Sequence, residues 1–148
     1  MSQISLSEFA DRVGKIMPVI MKDFMKHQAA VFYKMDVTMP QFFVMEHISR
    51  CGDCRMGELA KFINVTTAAM TGLIDRVVRD GYVSRFSDPK DRRIVKVKLT
   101  PKGAKVVGEA MKHRREAAIR MFSMISQEDR EQYLKILTRI KDKMQEQG

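Results

Sequence analysis

Apolar residues recur at three- and four-residue steps through most of this chain, and one short stretch breaks into a two-residue alternation. Phe9, Val13, Ile16, Ile20 and Phe24 form the first periodic run, which predicts a helix with one buried stripe. Ser5-Leu6-Ser7-Glu8 opens it with the Ser-x-x-Glu form of a capping box. Pro18 removes one backbone donor and crowds the carbonyl of Gly14; with the periodicity intact on both sides, a bend is expected rather than a stop. A second helix is predicted to begin near Thr38, with Pro40 in its first turn and Gln41 completing another capping pattern, and to end before Gly52.

A short third helix is expected over 56–62, with Met56, Leu59, Ala60 and Ile63 on one side. Asn64-Val65 makes a turn, and Thr66 caps a fourth helix whose inward stripe is Met70, Leu73, Ile74, Val77 and Val78. Its opposite face carries Thr67, Ala68, Thr71, Gly72, Asp75, Arg76 and Arg79, small at one end and basic at the other. Gly72 costs about 1 kcal/mol relative to alanine inside a helix. Either a neighbouring backbone approaches closely there, or a larger side chain would hold the helix off a partner.

The alternation comes next. Residues 82–86 and 94–99 are rich in β-branched and aromatic side chains, and Val95, Val97 and Leu99 alternate with Lys96 and Lys98, which predicts a half-buried hairpin. Its connection, 87–93, is longer than a tight turn requires, so the tip should project. Thr100-Pro101 then supplies a cap and first-turn proline for a long helix, and Ser126 caps another in which Tyr133, Leu137, Ile140 and Met144 repeat at coiled-coil-like steps. The fold class is therefore mainly α with a small β-hairpin wing, a winged helix-turn-helix between long terminal helices. A chain of 148 residues with 45% hydrophobic content can bury one modest core, so a single folding unit is expected.

Charge sharpens this picture. The net charge is +9, and the segment 79–105 alone holds nine basic residues against three acidic ones, six of the nine excess charges. A solvated basic face is the plain reading of such a run; on a hairpin beside a helix-turn-helix, a nucleic-acid grip is the better one. A helix short of bulky outer groups fits a major groove, where hydroxyls meet donors or acceptors and a methyl meets thymine. Lys90, Arg92 and Arg93 at a projecting tip can reach a narrow minor groove, whose negative potential favours arginine. Asp91 repels phosphate, so its expected work is to hold a neighbouring arginine in a defined pose.

Asp91-x-Arg93, five residues, then Leu99-Thr100-x-x-Gly103 resembles the wing signature of the MarR family of winged helix-turn-helix regulators, with the helix at 66–81 in the place of that family's recognition helix. The resemblance spans essentially the whole chain, since the family also has long helices at both ends. It implies a two-fold dimer with interlocking terminal helices, here 1–36 and 104–148, around a DNA-binding region at 37–103, seated on a pseudo-palindromic operator. It makes Arg93 the minor-groove arginine, with Lys90, Asp91 and Arg92 beside it, and Thr66, Thr67, Met70, Thr71 and Arg76 the major-groove candidates. It also implies a small aromatic or anionic effector. Repression is expected rather than activation, because a dimer seated over a promoter excludes polymerase without further machinery. Many members carry a basic residue where this chain has Gly72, so the operator cannot be borrowed from relatives.

The terminal helices point to a dimer without that resemblance. Neither long C-terminal helix can hide its apolar face against so small a wing domain, and a second chain would set two recognition helices about 34 Å apart, one turn of DNA. Packing onto the first helix of the same chain is the alternative.

Cys51-Gly52-Asp53-Cys54, with His47 one turn earlier, offers three readings: a plain loop, a thiol switch, or three ligands of a metal site lacking the usual fourth. Met17, Met21, Met25 and Met35 are core residues or the lining of an adaptable pocket. No cofactor is expected. His27, His47 and His113 are widely spaced and no phosphate-binding glycine loop or hydrolytic motif appears, so catalysis is not expected either. A winged helix that binds only proteins predicts a neutral wing, contrary to the charge. No run is long and apolar enough for a membrane span and the N-terminus shows no secretory signal, so a cytoplasmic protein is expected.

Overall fold

In a computed structural model, residues 3–147 are described; Met1, Ser2 and Gly148, which belong to the terminal segments expected at 1–36 and 104–148, lie outside them. The chain forms α1 (Leu6–Met35), α2 (Met39–Cys51), β1 (Asp53–Arg55), α3 (Met56–Ile63), α4 (Thr67–Arg79), β2 (Val83–Ser87), β3 (Val95–Leu99), α5 (Pro101–Phe122) and α6 (Gln127–Glu146). Helix α1 continues through Pro18 rather than stopping there, as the periodicity on both sides predicts. At the start of α2 the Thr38 hydroxyl accepts from Gln41 N (3.4 Å) while the Gln41 side-chain Oε1 accepts from Thr38 N (2.8 Å), a reciprocal capping box. Asn64 ends α3 in the left-handed region at φ 58°, a conformation asparagine tolerates. The Thr66 hydroxyl then accepts from Ala69 N (3.1 Å) to start α4.

The chain divides into two compact units, Met25–His113 and the pair of segments Met1–Phe24 and Arg114–Gly148. The central unit is wider than the region expected at 37–103. The cause is packing at both ends: Phe32 of α1 lies 5.0 Å from Phe42 between ring centroids, and Val107 and Ala110 of α5 are buried in the same core. That core holds Val44, Met45, Ile48, Leu59, Met70, Ile74, Val77 and Val97, none of them exposed to solvent.

The sheet has three antiparallel strands in the order β1-β3-β2, one more than the hairpin predicted. Asp53 pairs with Lys98, Cys54 with Val97 and Arg55 with Lys96, so the Cys-x-x-Cys segment is not the plain loop of the simplest reading. Cys51 closes α2, Gly52 turns the chain at φ 82°, and Cys54 is buried in β1.

In the second unit α6 contains no buried residue, and Leu134, Leu137 and Ile140 are exposed; so are Phe9, Ile16, Val19 and Ile20 of α1. The apolar stripe expected to be buried is thus largely open to solvent in the single chain. Among the described residues no helix is long and apolar enough to cross a membrane.

Candidate nucleic-acid interface

Helix α4 and the wing belong to the same central unit and are tied together by Asp75 of α4, which accepts a hydrogen bond from the Arg85 guanidinium of β2. The outer face of α4 presents Thr66, Thr67, Ala68, Thr71, Gly72 and Arg76 to solvent. Thr66 spends its oxygen on the cap and keeps its hydroxyl hydrogen; Thr71 donates back to the Thr67 carbonyl (2.9 Å) and keeps its lone pairs. Met70 is not on this face. It is fully buried in the core, because it follows the inward stripe of Ile74 and Val77, and it is removed from the candidate contacts. A Cβ built on Gly72 would meet no atom within 4 Å, so no other part of the described chain approaches closely there.

The wing tip, residues 88–94, is shaped by two aspartates. Asp88 Oδ1 accepts from Lys90 N (2.8 Å) and Asp91 Oδ1 accepts from Arg93 N (3.0 Å). Asp91 therefore orients Arg93 through its backbone rather than through its guanidinium. Backbone bonds close the tip: Asp88 N donates to Ile94 O (2.9 Å) and Ile94 N to Asp91 O (3.0 Å). Asp88 is buried, and its other carboxylate oxygen takes the Lys96 ammonium at 3.1 Å. The Lys90 amide and then the Lys96 ammonium hold the Asp88 carboxyl below its ordinary range. Reciprocally, Asp88 and then Asp53, 3.4 Å from the Lys96 nitrogen, hold that ammonium's pKa above its ordinary value.

Seven of the nine basic residues of 79–105 split into two groups; of the other two, Lys98 lies over the Phe86 ring and Lys105 is on α5. Arg79 pairs with Asp80 (3.2 Å), Arg85 with Asp75, and Lys96 with Asp53 and Asp88, while Lys102 donates to Asp80 O (2.7 Å) above the Tyr82 ring. These four serve the fold. Lys90, Arg92 and Arg93 are exposed, and among the described residues no carboxylate pairs with their side chains. The charge count could not make this division, since it depends on contacts between distant residues. Asp75 and Arg85, or Lys96 and Asp53, leave no local signal.

The Leu99-Thr100-x-x-Gly103 segment anchors the wing to its base. Thr100 Oγ1 donates to Gly81 O (2.6 Å) and accepts from Gly103 N (3.1 Å), and Thr100 N donates to Tyr82 O (3.0 Å).

His47, Cys51 and Cys54 do come together: one potential ligand atom from each lies within 4.8 Å of the others, with His47 Nε2 and Cys51 Sγ 3.5 Å apart. The His47 ring stacks on Phe62 at 3.8 Å between centroids. Burial, followed by the hydrogen bond with Cys51, pushes the Cys54 thiol up to about 12, while Cys51 is exposed. The methionines divide as well: Met35 packs on the central core, whereas Met17 and Met21 are exposed.

Helices α2, α3 and α4, with β1 between the first two, followed by the β2–β3 hairpin that completes one three-stranded sheet, define a winged helix-turn-helix. Residues 37–95 match the model of the MarR family. The chain is 32% identical over 108 residues to an uncharacterised HTH-type transcriptional regulator, YsmB of Bacillus subtilis, covering 73% of this chain and 74% of that protein. Among solved structures, a MarR family protein from Bacillus stearothermophilus superposes with a TM-score of 0.84 at 21% identity, over 96% of this chain and 99% of the other. A mutant MarR from E. coli complexed with operator DNA superposes with a TM-score of 0.69 at 22% identity, over 93% and 99%. The chain belongs to the MarR family of transcription regulators, a class that binds DNA rather than catalysing a reaction.

Proposed function

We propose that this regulator grips operator DNA as a homodimer, with α4 in the major groove and the wing tip in the adjacent minor groove. The observation that carries the reading is the pairing, on one compact unit, of a slim outer helix face with three cations that no carboxylate of the described chain neutralises. Thr66, Thr67, Thr71 and Arg76 are the major-groove contacts; Lys90, Arg92 and Arg93 are those of the wing, and Asp91 sets the pose of Arg93. Counter-ion release from phosphates met by the tip supplies affinity without sequence preference, and α4 supplies the discrimination.

The second chain is argued from the terminal segments, 1–36 and 104–148. Helix α6 buries nothing of its own, and Phe9, Ile16 and Ile20 of α1 and Leu137 and Ile140 of α6 stand exposed on their stripes, the kind of apolar face that marks an interaction surface. Two-fold symmetry then demands an operator of two inverted half-sites about one helical turn apart. Such a dimer acts as a cytoplasmic repressor by covering the promoter. A small aromatic or anionic effector, or an oxidant acting at the exposed thiol, releases it by favouring a conformation with the wrong half-site spacing.

Selection of bound duplexes from a random pool by the full-length protein tests this reading. The expected result is an inverted repeat. Recovery of unrelated sequences after repeated rounds would overturn it.

A further inference from the structure

We infer that His47, Cys51 and Cys54 form a binding site for one thiophilic d10 cation, zinc(II) or copper(I), at the junction of α2 with the wing sheet. His47 and Cys51 stand one turn apart on the same helix face, the separation that places side chains as neighbours. Cys54 reaches the same point from β1, because Gly52 turns the chain between α2 and β1 at a positive φ of 82°. Tetrahedral coordination at metal–ligand distances of about 2.0–2.3 Å separates its donors by about 3.6 Å. His47 Nε2 and Cys51 Sγ already stand 3.5 Å apart, and all three donors lie within 4.8 Å, so side-chain movements of roughly 1 Å complete the arrangement.

The donor set decides the ligand class. Two thiolates and an imidazole favour soft or borderline cations and discriminate against magnesium and calcium, which take oxygen ligands. The gradient of exposure suits entry from one side: Cys51 is exposed, His47 half-buried and Cys54 closed off in the core. Stacking on Phe62 at 3.8 Å between centroids restrains the tilt of the imidazole ring. On binding, each S–H bond is replaced by a sulfur–metal bond, and two protons pass to solvent. The fourth position stays open to water. A cation held there staples the end of α2 to β1, and β1 is paired through Cys54 and Val97 to the central strand of the wing.

The test uses the reduced, chelator-treated full-length protein and does not involve DNA. Cobalt(II) is titrated as a spectroscopic probe and then displaced with zinc(II). The expected result is one cobalt per chain with sulfur-to-cobalt charge-transfer absorption, its loss on adding zinc, and a higher melting temperature in the zinc form. Cys51→Ser, at an exposed position that leaves the core intact, and His47→Gln should each weaken zinc binding at least tenfold. Absence of thiolate charge transfer, or zinc affinity unchanged in Cys51→Ser, would overturn the assignment. Cys54→Ser is the weaker variant for this purpose because it also disturbs a buried strand.

Discussion

Gly103 lies flat against the carbonyl group of Tyr82: a Cβ built on it would stand well inside van der Waals contact with the carbonyl oxygen and 2.9 Å from its carbon. The same carbonyl accepts from Thr100 N, and the Thr100 hydroxyl bridges Gly81 O and Gly103 N, so α5 starts hard against the end of the α4–β2 turn. Gly103→Ala should therefore cost about 1–3 kcal/mol, the usual penalty of forcing extra volume into a closed space. Urea unfolding of the variant beside the wild type checks it. An unchanged midpoint and slope would show that the backbone yields instead.

Arg93 is exposed at the wing tip and its backbone is fixed by Asp91. Arg93→Ala should reduce operator affinity by about 1–3 kcal/mol with no change in unfolding stability. Asp91→Ala should reach part of the same loss indirectly, through a loosened tip. Binding titrations with a selected duplex, alongside thermal melts, separate the two effects.

Gly72 offers a substitution with opposite signs in two measurements. In the free protein Gly72→Ala should add about 1 kcal/mol of stability, since a Cβ there meets nothing and helix propensity improves. In the proposed seating on DNA the same Cβ faces the groove, so affinity should fall. A variant gaining in both would place this face away from the bases.

Asp88 makes the wing sensitive to acid. Its folded-state pKa is lowered from 3.8, first by the Lys90 amide and then by Lys96, so its contribution is complete above the unfolded value and is lost as pH falls through the folded one. The Lys90 amide shift, followed by NMR, should titrate with a midpoint below 3.8 and lose that titration in Asp88→Asn. A midpoint at or above the ordinary value would contradict the geometry.

The two thiols should differ sharply in reactivity. Cys54 is buried and its pKa is pushed up to about 12, so at neutral pH it offers almost no thiolate; Cys51 is exposed beside His47. Mass spectrometry during alkylation of the metal-free protein should show Cys51 modified well before Cys54. Equal rates would mean that β1 opens readily.

Local chemistry accounts for what was readable in advance. Thr38, Thr66 and Ser126 satisfy backbone donors within their own first turns, so their helices start where the residues say. Strand β1 was not readable: Asp53-Cys54-Arg55 is too short to show alternation, and it is a strand only because β3 pairs with it. Met70 was legible as a core residue from its spacing with Ile74 and Val77, and placing it on the outer face as well conflicted with that pattern. Charge was legible in total and not in use, because pairs such as Lys96 with Asp53 and Asp88 exist only after folding.

The central claim is that unneutralised cations on the wing and the slim face of α4 hold the same duplex. The direct measurement is affinity for a selected duplex and for its scrambled counterpart across a range of salt concentrations, with Arg93→Ala in parallel. The account predicts preference for the selected duplex, a linear fall of log K with log salt, and a slope shallower by about one in the variant. Equal affinity for both duplexes with a slope near zero would contradict it.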